Sequence, residues 1–189
     1  MTTSLLGAFG TTSLLGDFGA VFSPCRQFRY RLWRIWDESR PLAVYVLLNP
    51  STANEIDPDP TVTRCMRRAA LRGYGGIIVV NLYAWVSTYP SALATVDDPV
   101  GPENDFHIVE AAKRAAKDAV IFGWGTKLPR GSQRDIEVTR LLRSAGIAPM
   151  CLVVTKDGFP KHPLYVGYDV EPIPFDQETR MCSVRRGAL

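Results

Sequence analysis

Residues 42 to 48, Leu-Ala-Val-Tyr-Val-Leu-Leu, form an unbroken apolar run that stops at Asn49-Pro50-Ser51-Thr52. An apolar run of this length, rich in β-formers, reads as a strand buried on both faces, the signature of a parallel sheet. Proline cannot continue a central ladder, and the Ser or Thr behind it can cap a helix. Open α/β sheets place their chemistry at the carboxyl ends of central strands, so Asn49 is a candidate active-site residue. The same Pro-Ser-Thr sequence also suits an ordinary capped strand-to-helix turn, and at this point both readings stand.

The rest of the chain repeats the pattern. Asp57-Pro58-Asp59-Pro60-Thr61 reads as a loop, and Thr63 to Gly73 as a short helix carrying Arg64, Arg67, Arg68 and Arg72. That is the densest positive charge in the chain, and it admits a solvated face or a phosphate contact. Ile77 to Val80 is a second apolar strand, ending at Asn81, and Leu82 to Asn104 is a long loop of the kind that tends to be functional. Asp105 to Lys117 predicts a helix with His107 on its exposed face. Ala119 to Phe122 predicts a third strand, followed by Gly123-Trp124-Gly125. Ser132 to Ala145 reads as a helix and Met150 to Val154 as a fourth strand, which leads into a loop from Thr155 to Tyr165.

Strands alternating with helices predict an α/β fold: a three-layer α/β/α sandwich around a central four-stranded, mostly parallel sheet. Right-handed crossovers then bring Asn49, Asn81, Trp124 and the Lys156 to His162 loop to one sheet edge. Ahead of this core, residues 28 to 36 mix aromatics with arginines in partial alternation. They suit a half-exposed edge strand in an antiparallel hairpin, or an Arg and aromatic grip on nucleic acid. Residues 2 to 10 recur almost unchanged as 11 to 19, too few copies for a solenoid. Residues 1 to 22 therefore read as a duplicated, mobile arm, 23 to 170 as one domain, and 171 to 189 as a tail that wraps or frays.

Composition narrows the function classes. A net charge of +3 on 189 residues neither establishes nor excludes a nucleic-acid partner. Four scattered cysteines (25, 65, 151 and 182) without a CxxC pair, and only two histidines, argue against structural zinc and for free thiols in a reducing cytoplasm. No apolar run reaches transmembrane length, and no secretory leader is evident. With no phosphate-binding GxxxxGK[ST] loop and no nucleophile elbow, phosphoryl transfer and serine hydrolysis are weak readings. No metal or cofactor is expected. Amides and an imidazole at one edge suit recognition of a flat polar ligand and stabilisation of a developing anion.

Four segments carry a resemblance. Leu48-Asn49-Pro50-Ser51 is similar to the first motif of uracil-DNA glycosylases, and Val79-Val80-Asn81-Leu82 to their second strand. Val120 to Gly125 resembles their apolar strand ending in Trp-Gly, and Lys161-His162-Pro163-Leu164 their closing His-Pro-Ser motif. Within that superfamily the chain most resembles a bacterial and phage family of unknown function, domain of unknown function 1643. That family's Leu-Asn-Pro-Ser-Thr-Ala, Asn-Leu-Tyr-Ala, Asp-Pro-Val-Gly-Pro-Glu-Asn-Asp and His-Pro-Leu-Tyr segments are all present here.

The resemblance implies a DNA glycosylase-like hydrolase acting on a modified or damaged base, with roles in phage defence or DNA modification. Asn49 would orient the water and His162 would stabilise the leaving base. Asn81 would read the base edge within a pocket shaped by Pro50 and Ser51. Tyr83, Trp85 or Trp124 would stack on the base, and Leu164 and Tyr165 would wedge into the gap left in DNA. Leu164 stands where the family has a phosphate-binding Ser, so Arg64, Lys156 or Lys161 would take the phosphates. The small Ser51 leaves room for C5-substituted pyrimidines. A non-catalytic nucleobase- or DNA-binding module, and a hydrolase of free nucleosides or nucleotides, are the alternatives.

Overall fold

Both sides of the strand at Leu42–Leu47 are covered, as its unbroken apolar sequence requires. In a computed structural model, which describes residues 16–51 and 59–176, this strand lies within a mixed seven-stranded sheet. In chain order the strands are β1 (Asp17–Phe22), β2 (Arg29–Ile35), β3 (Leu42–Leu47), β4 (Gly76–Asn81), β5 (Ala115–Phe122), β6 (Met150–Cys151) and β7 (Ile173–Pro174). Their spatial order is β1-β2-β4-β3-β5-β6-β7. The inner strands β4, β3, β5 and β6 pair in parallel, while β1, β2 and β7 flank them antiparallel. Three helices, α1 (Pro60–Leu71), α2 (Asn104–Lys113) and α3 (Arg134–Ser144), complete the α/β fold.

Alternate side chains of β3 enter two separate cores. Val44, Val46 and Leu48 pack with Ile108, Ala111 and Ala112 of α2 and with Val138 and Leu142 of α3. Ala43, Tyr45 and Leu47 pack with Val62, Cys65 and Ala69 of α1. Each larger aliphatic buried in this way contributes about 1.5–3 kcal/mol, which outweighs the weak intrinsic preferences of so short a strand. The connection β3–α1–β4 therefore crosses one face of the sheet and β4–α2–β5 the other. The chain diverges beyond the carboxyl ends of β3 and β4, and divergence of this kind opens a crevice.

Helix boundaries follow local chemistry. The Asp59 carboxylate caps α1 by accepting from the Val62 amide at 2.8 Å, and Pro60 fills the first helical position. That helix begins before the expected Thr63 and stops at Leu71, with Gly73 at φ +78° in the turn behind it. The helix expected over 105–117 ends at Lys113, because Ala115 already pairs with Leu42 and opens β5. The fourth strand expected over 150–154 is only Met150–Cys151; Val154 instead bridges to Pro160.

Four expectations are corrected. The segment at 28–36 is not an edge strand: β2 lies between β1 and β4, with five of its seven residues buried. The sheet is seven-stranded rather than four-stranded with one added hairpin, because the tail supplies β7 and buries Phe175 against Phe122 and Trp124. Residues 17–22 of the presumed arm pair with β2, and Gly19 lies so close to the Trp33 ring that an added Cβ would be 2.5 Å from it. The remainder of the repeat, residues 1–15, lies outside the described residues. Finally, His107 is not on an exposed face. It is buried, stacked on Tyr30 with ring centroids 4.8 Å apart.

Candidate functional site

At the divergent strand ends lies a cavity of about 410 Å³, within the range of small-molecule sites. Asn49, Asn81, Trp124 and His162 all line it, so the ends of three parallel strands and the His-Pro turn share one hollow. Register explains the placement. Asn81 pairs with Leu47, whose side chain lies in the α1-side core, and paired residues of a parallel ladder face the same way. The cavity accordingly sits on the α1 side, where Thr61 and Val62 close it.

The two carboxamides are held differently. Asn49 Nδ2 donates to the carbonyl oxygens of Ser87 at 2.8 Å and Pro50 at 3.1 Å. Both amide hydrogens are thereby used, and Oδ1 is the atom left to accept a hydrogen bond. Asn81 is only 2% exposed, yet its side chain has no hydrogen-bond partner among the described residues. The carboxamide lines the cavity, where a ligand offering one donor and one acceptor can pair with it. Its backbone is fixed independently: Asn104 Nδ2 donates to the carbonyls of Asn81 and Leu82, and buried Arg134 adds a second donor to Leu82.

His162 caps the short turn Pro163–Tyr165. Its Nδ1 accepts from the Leu164 amide at 3.4 Å, which leaves the proton on Nε2. Burial holds its pKa below the ordinary imidazole value; the Asp59 carboxylate pulls it back up, and Lys127 pushes it further down. The ring is therefore a neutral hydrogen-bond donor at neutral pH. Close backbone approach seats the turn: a Cβ on Gly123 would fall 2.6 Å from Pro163 Cδ.

The arginines of α1 explain the other side of that turn. Arg68 is fully buried and donates to the carbonyls of Val166, Gly167, Tyr168 and Val170, while Arg64 reaches Val166 and Arg72 reaches Val170. Tyr168 lies under the Arg64 guanidinium, 4.1 Å from it. Irregular backbone must find donors somewhere, and here they come from a helix about a hundred residues earlier. The reading of this helix as a solvated face is corrected for buried Arg68, and Arg64 and Arg72 are tied to backbone carbonyls.

Other candidate residues divide between the cavity and its surroundings. Ser51, Lys161 and Tyr165 line it, and Tyr165 is 69% exposed at the mouth. Pro50 is buried outside it and acts through its carbonyl, which accepts from Asn49 and from the Ser87 amide. Tyr83 is in the opposite core with its hydroxyl on Ser132 at 2.5 Å, and Trp85 packs edge-on against Phe28, so neither reaches the cavity. Of the three candidate stacking aromatics, Trp124 alone lines it. Arg64, exposed Lys156 and Leu164 do not line it either.

Sequence reasoning missed three charged groups. Asp59 accepts from the Ser51 hydroxyl at 2.7 Å and lines the cavity, although its cap role alone would account for an Asp at that place. Arg29, 4% exposed, reaches in from the start of β2, and Lys127 from the loop after Trp124. The parity of β2 was the one available signal for Arg29. The irregular pairing opposite Val21 and Phe22 obscures it. Among the described residues no three His, Cys, Asp or Glu side chains gather where they could hold a metal. Likewise, no helix among them is long and apolar enough to cross a membrane.

With one acceptor, one open carboxamide, one neutral imidazole donor and a carboxylate around a single hollow, the site can bind a planar heterocycle and stabilise charge on it. No curated protein and no solved structure is detectably similar to the chain. The family model described as "Protein of unknown function (DUF1643)" matches residues 29–164, from the cavity's Arg29 through His162 to Leu164. The match spans well over half of the chain, which therefore belongs to the DUF1643 family.

Proposed function

We propose that the chain is a DNA glycosylase-like hydrolase that cleaves the N-glycosidic bond of a modified or damaged base. In this reading the fold is the three-layer sandwich of the uracil-DNA glycosylase superfamily. The observation that carries it is the buried carboxamide of Asn81, which has no partner among the described residues and shares one cavity with Asn49 and His162. Its donor and acceptor match the edge of a nucleobase, and Trp124 supplies an aromatic wall. As the C1′–N bond breaks, the electron pair moves onto the base, and the His162 Nε2–H donates to the base oxygen that gathers charge. Asn49 Oδ1 accepts from the attacking water and aims it at C1′.

In this reading Tyr165, which is exposed and lines the cavity, fills the gap left by an extruded nucleotide. Lys161 and Lys127 suit neighbouring phosphates. The same cations also favour a second substrate, a free nucleotide, over a neutral nucleoside. The test is abasic-site formation on oligonucleotides carrying uracil, mismatched thymine or C5-substituted pyrimidines, alongside the matching free nucleotides. Wild type should cleave at least one, and Asn81→Ala and Asn49→Ala should lose about 10²-fold or more. Tight nucleobase binding without turnover would replace the hydrolase with a binding module.

A further inference from the structure

The water that attacks an N-glycosidic carbon must give up a proton by the end of the reaction, and a carboxamide cannot accept one. Asn49 therefore positions the water without activating it. The imidazole is committed as a donor, because its Nδ1 already accepts from Leu164. Lys127, Lys161 and Arg29 offer hydrogen-bond donors and no acceptor. Among the described residues that line the cavity, one carboxylate remains, that of Asp59.

We propose that Asp59, resting on the hydrolase reading above, is the general base that takes the proton from the attacking water. Its orientation is set from two sides: Oδ1 accepts from the Val62 amide at 2.8 Å, and Oδ2 accepts from the Ser51 hydroxyl at 2.7 Å. Each oxygen keeps a further lone pair, and the positive end of α1 lies directly behind the group. Ser51 follows Asn49 by two residues, so this hydroxyl ties the carboxylate to the strand end that holds the water. Asp59 and His162 also interact electrostatically across the same cavity.

The step balances with water as the only co-reactant. The water oxygen forms a bond to C1′, and the C1′–N bond breaks with its electron pair going to the base. One water proton goes to Asp59 and the other stays on the new hydroxyl. The departing base, hydrogen-bonded by His162, takes up a proton from solvent, and Asp59 returns its own to solvent. Ser51 is a positioning residue in this scheme, and Asp59 is catalytic because it touches the reacting water.

Asp59→Asn separates this role from capping, since Asn caps a helix as well as Asp does, and the Ser51 hydroxyl can turn to accept from Nδ2. On the oligonucleotide that wild type cleaves, kcat should fall about 10²–10⁴-fold with KM and thermal midpoint unchanged. Asp59→Ser keeps a cap but removes the base and opens space, so added formate should restore part of its rate. A purely structural role would not respond to formate. If Asp59→Asn cleaves at the wild-type rate, or formate does nothing to a folded Asp59→Ser, the base assignment is overturned while the hydrolase reading stands. If wild type cleaves no substrate in the panel, the hydrolase reading fails and takes this assignment with it.

Discussion

The guanidinium of Arg68, without exposed surface, donates to the carbonyl oxygen of Gly167 at 2.6 Å. Three further carbonyls, of Val166, Tyr168 and Val170, lie within reach of the same group. The planar fork of an arginine suits this task, and a lysine ammonium cannot span it. The segment it anchors follows directly on the His162 turn.

Replacing Arg68 is therefore expected to destabilise the chain as a whole. Arg68→Met leaves buried carbonyls without a donor and should cost about 3 kcal/mol, and Arg68→Lys should recover only a minority of that. Urea unfolding checks it: the midpoint should drop with the slope unchanged. A variant as stable as wild type would show that the arginine belt is incidental.

Gly123 tests how tightly the strand end and the His-Pro turn are packed. A methyl group there would meet Pro163 Cδ and Cγ at 2.6 and 2.9 Å, so Gly123→Ala must push the turn outward. A cost of about 1–3 kcal/mol is expected from overpacking, with loss of nucleobase binding larger than the stability loss explains. Parallel melting and binding measurements on the variant decide between a local and a site-level effect.

Both histidines of the chain titrate below the ordinary imidazole value in the fold, each chiefly through burial. Between that ordinary value and the depressed ones, the unfolded chain binds more protons than the folded chain. Stability should therefore be full above about pH 6.5 and fall as the pH is lowered towards the folded-state values. Replacing His107 and His162 together by Gln should flatten the stability profile across that window. Imidazole NMR titration of the wild type should show both midpoints depressed.

Much of the core was readable because its strands are buried on both faces. Leu42–Leu47 and Gly76–Asn81 declare themselves by unbroken apolar sequence, and a polar residue ends each run. The short strands β6 and β7 carry no such signal; they exist through pairing with a neighbour, Met150 with Pro174 and Cys151 with Ile173. Helical periodicity puts His107 on the exposed face because it does not reveal that this face meets Tyr30. The anchoring role of the α1 arginines is invisible in the sequence because their acceptors are carbonyls, which leave no trace in side-chain pattern.

The linear order of residues was enough to determine which side chains stand at strand ends: Asn49, Asn81 and Trp124 follow from apolar runs and the alternation of strand with helix. Only tertiary structure decided what those ends share. It turned Asn81 towards α1, seated His162 against Gly123 through Pro163, and brought Asp59 under Ser51 into the same hollow. Local preference acts over a few residues, whereas the Arg68 anchors and the Pro163 contact join positions forty to a hundred residues apart, and such distances close only when the sheet assembles.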